Sequence, residues 1–187
     1  MSSSWKLAFW MLMPGLVVVV LLPASGWAQA AEQAVAAADV GSLEDASQAF
    51  MTLQRRAMWT LGGWAVGNLA AGPALAAVTS GSARQFWVMN AGWNVVNLAI
   101  AGWALTAGRP DPAEWQTLMD VEQAQGAFRR LLWINAGLDV GYVATGAWLA
   151  SRGARTGSDR QLGFGRAVMV QGVFLLVFDT TVALLAR

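Results

Sequence analysis

Between residues 57 and 186 the chain holds four apolar stretches, each long enough to cross the hydrocarbon of a lipid bilayer, separated by polar segments that carry arginine. A hydrocarbon layer about 30 Å thick needs about 20 residues of helix at a rise of about 1.5 Å each. The stretches 57–78, 86–107, 131–150 and 167–186 meet that length. Only 12% of the residues are charged, about half the share of an ordinary soluble domain. The pattern predicts an all-α membrane four-helix bundle made of two tandem helical hairpins, 57–107 and 131–187, with turns at 79–84 and 151–165. An exported arm precedes each hairpin, at 31–56 and at 108–130.

Residues 1–30 read as a signal peptide. Lys6 makes the start basic, an apolar run covers 7–22, Pro23 ends it, and Ala28-Gln29-Ala30 supplies a small-x-small cleavage site. Arginine placement gives an orientation. Arg152, Arg155, Arg160 and Arg166 face only Asp159 in the second turn, and the first turn holds Arg84 and no acid. Those turns are expected in the cytoplasm. Both ends of the mature chain are then on the exported side of the plasma (inner) membrane.

The arms carry helix-start signals. Ser42 with Asp45 three residues on resembles a capping box, and Leu43, Ala46, Phe50 and Leu53 then share one face. Asp111-Pro112 with Glu114 opens the second arm. Trp115, Leu118 and Met119 fit either the lipid headgroups or an extension of the next span.

Several chemistries are excluded. The chain has no cysteine and no histidine, and its single lysine, Lys6, falls in the signal. Disulfides, thiolates, imidazole bases, zinc sites and ordinary haem ligation are out of reach, as is a Schiff-base lysine in the mature chain. No metal or cofactor is expected, and no enzymatic activity. A net charge of +1 leaves no footprint for nucleic acid.

Residues 55–72 and 129–146 align without gaps at eight of eighteen positions, an offset of 74 residues that suggests a tandem duplication. The shared Arg55-Arg56 and Arg129-Arg130 would anchor the outer boundary, and Trp59 and Trp133 would sit in the interfacial belt. Gly63 with Gly67, and Gly137 with Gly141, have the spacing that lets helices approach closely. They are expected to pack spans one and three together; dimerisation is the second use for them. The expected partners are the lipid bilayer and either a second copy or a larger membrane complex.

Two acids fall inside the spans. Asp139 and Asp179 lie roughly 12–14 Å from the outer ends of their helices by the helical rise, on spans that a turn makes neighbours. Asn135, Asp139 and Tyr142 share one helical face, and so do Asn90, Asn94 and Asn97. Asn68 aligns with Tyr142 in the repeat, and Gln171 lies near the inner end of the last span. Ionisable groups at that depth face protein or water. They serve either as interhelical hydrogen-bond glue, each worth about 0.6 kcal/mol, or as a site for a proton, a cation or a small polar ligand. In that site Asn135, Asn94, Asn97, Asn68 and Tyr142 would be neutral partners. The first use implies a structural or accessory membrane subunit with a polar core, the second a small transporter or channel. A third option is a sensor of envelope lipids acting through the arms.

The strings LGGWAVGNLAAG and MNAGWNVVNLAIAG, with Gly-Trp-x-x-x-Asn at Trp64/Asn68 and Trp93/Asn97, resemble a group of uncharacterised bacterial four-span membrane proteins, a domain of unknown function. The resemblance covers about residues 45–186 and implies no activity. The chain does not resemble small multidrug transporters, whose membrane glutamate is missing from the first span, nor a rhodopsin.

Overall fold

A computed structural model describes residues 43–186, and the signal-like segment and the start of the first arm lie outside them. The described chain forms four long helices, α1 (Leu43–Val78), α2 (Gly81–Leu105), α3 (Leu118–Thr156) and α4 (Asp159–Leu185), with a short 3-10 turn at Pro112–Glu114. It is all-α, with no strand among the described residues.

Local chemistry sets the helix ends. Glu44 and Asp45 occupy the first turn of α1, where negative charge suits the helix dipole. Thr117 caps α3 through a reciprocal box: its hydroxyl accepts from Asp120 N at 3.3 Å, and the Asp120 carboxylate accepts from Thr117 N at 2.8 Å. Gly157 ends α3 at φ +68°, a left-handed conformation that glycine adopts without strain. Ser158 then caps α4 by accepting from Gln161 N.

The turns differ from those expected. Within each hairpin the helices break only at Thr79-Ser80 and at Gly157-Ser158, not over 79–84 and 151–165. Arginine, alanine and leucine are good helix formers, and two of these arginines lie over aromatic rings of their own helices. Arg152 lies over the Trp148 ring at 5.5 Å and Arg160 over Phe164 at 5.3 Å. The described part of the first arm is the start of α1, and residues 118–130 of the second arm are the start of α3. Asp111-Pro112 begins only the 3-10 turn.

The two hairpins, α1–α2 and α3–α4, join along α2 and α4, which run side by side in the same direction; α1 and α3 touch little. Gly62 opposite Ala101 and Gly72 opposite Ala91 set the register of the first hairpin. The two turns sit together: the Asp159 carboxylate lies beside Gly81, and Gly163 meets the backbone of Ser82 and Phe86. At about 1.5 Å per residue, α1 and α3 run about 54 and 58 Å against about 38 and 40 Å for α2 and α4. The surplus projects at the end away from the turns. There Phe50 of α1 contacts Trp115 at 5.7 Å and Phe128 of α3 at 5.8 Å.

A soluble bundle turns its apolar stripe inward and a polar face outward; here apolar residues also cover the outside, and polar residues share the interior with an apolar core around Met58, Leu61, Ile100, Leu175 and Val182. Val66, Val95, Leu98, Ile134, Val140, Val173 and Val177 are exposed on all four helices, while Asn68, Asn90, Asn94, Asn97, Asp139, Gln171 and Asp179 are buried. Helices α1 and α4 are long and apolar enough to cross a membrane.

Candidate functional site

The helical face of α3 that carries Asn135, Asp139 and Tyr142 turns inward at mid-bundle. Together with Asn97 of α2 and Asp179 of α4 it borders a cavity of about 30 Å³, closed by Leu61, Ile100 and Phe178. Asp139 and Asp179 thus border the same small cavity from two neighbouring helices. A bond between two carboxyls would require a proton on one of them, because an ionised carboxylate only accepts. Asp139 Oδ2 is buried without a partner among the described residues. The cavity has room for a water or two. Trp93 closes over Tyr142 edge to face at 6.1 Å.

A second polar layer lies one step nearer the turns. The α1–α2 register puts Asn68 level with Asn94, and the approach of Gly163 to α2 puts Gln171 level with the stretch between Asn90 and Asn94. Asn90, Asn94 and Gln171 are fully buried. Asn68 Nδ2 donates to Trp64 O at 2.9 Å and Asn94 Nδ2 to Asn90 O at 3.0 Å, both within a helix. Asn97 Nδ2 donates to Asn94 Oδ1 at 3.3 Å and so links the two layers. Both amide atoms of Asn90 and Gln171, Asn135 Oδ1, and the indole N–H groups of Trp64 and Trp93 have no hydrogen-bond partner among the described residues. All four helices therefore contribute unmet polar atoms to the interior of the bundle.

Five of the seven residues expected to form the polar site, Asn97, Asn135, Asp139, Tyr142 and Asp179, border the one cavity. Asn94 adjoins it through Asn97, and Asn68 belongs to the second layer. Asn90 and Gln171 were outside the expected set. Asn90 shares the face of Asn94 and Asn97, so its spacing already marked it; Gln171, eight residues before Asp179, has no polar neighbour at helical spacing to mark a face. Arg55, Arg56, Trp59, Arg129, Arg130 and Trp133, expected as interface anchors, are exposed on the halves of α1 and α3 farther from the turns.

The glycine expectation is corrected. Gly63, Gly67, Gly137 and Gly141 have nothing within 4 Å of where a side chain would start, and α1 and α3 are not a packed pair. The reason lies in the helix phase of α3. Gly137 and Gly141 each stand two residues from Asp139, about 200° around the helix, so the acid and the glycines cannot both face inward. Close packing is carried instead by Gly146 and Gly153 of α3 and Gly165 and Gly172 of α4. A Cβ on any of these would press on partner backbone; at Gly172 it would come within 2.8 Å of Asp139 O. The spacing is seven residues on each helix, Asp139-Gly146-Gly153 and Gly165-Gly172-Asp179. Each small-residue stripe thus ends in one of the two acids.

Residues 60–180 match a family of unknown function, DUF6992. The chain belongs to that family. No curated protein and no solved structure matches it. Both acids, both polar layers and all four seam glycines fall within the DUF6992 match, whereas Phe50 and Arg55 precede it.

Proposed function

We propose that this DUF6992 chain is a multi-pass protein of the plasma (inner) membrane, with its turns in the cytoplasm, whose paired carboxyls take up and release a proton inside a hydrated core. The observation that carries this is the polarity of the bundle: valine, leucine and isoleucine on its outside, and unmet amide, carboxyl and indole atoms beside the apolar core within. In hydrocarbon each unmet polar group costs several kcal/mol, so these atoms call for water. The hydrogen bonds of Asn94 and Asn97 stay within α2, which weakens the glue reading. The cavity of about 30 Å³ favours a proton over a polar solute. Arg84, Arg152, Arg155, Arg160 and Arg166 cluster at the turn end, as cytoplasmic loops do. No enzymatic role is proposed.

A second reading, a structural or accessory membrane subunit, is favoured by the glycine seam, which presses α3 and α4 together through backbone contact. Proton flux separates the two. Full chain in liposomes holding a pH-sensitive dye, with an imposed potential, is expected to pass protons. Asp139→Asn with Asp179→Asn is expected to abolish the flux while the circular dichroism of the bundle persists. Folded wild-type protein that leaks no faster than empty liposomes would overturn the proton reading and leave the subunit reading standing.

A further inference from the structure

The outer end of the molecule holds a far larger space than the acid pair. Because α1 and α3 overshoot α2 and α4, the segment 106–117 roofs a cleft of about 590 Å³ between them, within the range of about 300–1,000 Å³ typical of small-molecule sites. Its interior is apolar and adaptable. Phe50 and Phe128 form one wall and Met58 the floor, methionine being able to fit irregular chains. Trp103 forms another wall and is held in place: Gly108 N donates to Trp103 O at 2.8 Å, and a Cβ at Gly108 would fall 2.6 Å from the indole. Two exposed arginines, Arg55 and Arg109, border the same cleft, with Glu114 as the acid there. Arg109 Nε donates to Leu105 O, which ties that guanidinium to the end of α2 and leaves its other N–H groups available.

We propose that this cleft binds an anionic phospholipid of the surrounding bilayer, with an acyl chain among the aromatic and methionine side chains and the phosphate between Arg55 and Arg109. Guanidinium groups match phosphate with paired donors. A free phosphate would leave the apolar interior unused. A second copy docking on the same face would bring its own Arg55 and Arg109 against these, like charge on like. The inference rests on the membrane placement proposed above and is independent of the acid pair.

Native mass spectrometry of the full chain, released from nanodiscs of equal phosphatidylglycerol and phosphatidylcholine, tests it. One phosphatidylglycerol per chain is expected to stay bound in preference to phosphatidylcholine. Arg55→Gln with Arg109→Gln should weaken that retention by about tenfold, the loss of charge-assisted hydrogen bonds. Ala127→Trp should fill the cleft and remove the adduct, while Asp139→Asn should keep it. Equal retention of both lipids, retention unaffected by the arginine changes, or a dimer mass without lipid would overturn the proposal. Chain recovered without detergent in the soluble fraction would overturn this and the membrane placement together. A retained adduct beside absent proton flux would overturn the acid-pair reading alone.

Discussion

The two ends of the bundle are built on opposite plans. At the turn end, glycine lets backbones meet directly: Gly153 against Leu162, Gly165 against Ala150, Gly163 against Ser82 and Phe86, with two-residue turns and no slack. At the outer end, aromatic rings keep α1 and α3 apart, a longer segment spans the gap, and a cleft remains. The polar layers lie between them. The contrast shows that space in this protein is allocated along the bundle axis: closure at one end, access at the other, and buried polar groups where the two meet.

The largest test of that contrast is at the seam. Gly165→Leu should cost more than about 3 kcal/mol, beyond ordinary overpacking, because backbone cannot move aside; Gly137→Ala, on the open face, should stay within about 0.5 kcal/mol. Unfolding in mixed micelles followed by circular dichroism reads both, and equal effects would erase the distinction. Next comes the aromatic packing. Phe174 stacks on Trp64 at 3.8 Å, so Phe174→Ala should cost about 3 kcal/mol or more. Phe50→Ala should cost less, since its neighbours border open space into which they can relax. Smaller still, Thr117→Ala should remove about 1 kcal/mol of helix capping at the start of α3, visible as faster amide exchange over 118–122. The smallest effect is on pH. The Thr117 hydroxyl, then the backbone N–H groups of Thr117 and Gln116, hold the Asp120 carboxyl below the usual carboxylate range. A lowered folded value means its support for the cap is present above the unfolded range and fades as pH falls through the folded one. Amide exchange at 118–122 should therefore rise under acid in the wild type and lose that dependence in Thr117→Ala.

Much of this was legible in the sequence, and the rest fails for a physical reason. Apolar runs between arginines gave helices in the right places, because length and hydropathy are properties of a segment alone. The face shared by Asn135, Asp139 and Tyr142 was readable from helical spacing. Which glycines pack was not read correctly, because a glycine pair says that a face is smooth and not which way it points. The phase relation to Asp139 held that information, as did the seven-residue stripes ending at Asp139 and Asp179. The cap that starts α3, Thr117 with Asp120, is also carried by the sequence, six residues beyond the Asp111-Pro112 signal that marks only the 3-10 turn. The cleft had no local signature, since it arises from a mismatch in length between helices that are distant in sequence.

One consequence of the side-by-side placement of α2 and α4 concerns cutting the chain. Segment 106–117 is the longest interruption between helices among the described residues, and the other two junctions offer a protease too little extended chain to bind. A nick there would yield an N-terminal and a C-terminal fragment still clasped through α2 and α4, so the protein should be recoverable as a non-covalent pair of halves expressed from separate messages.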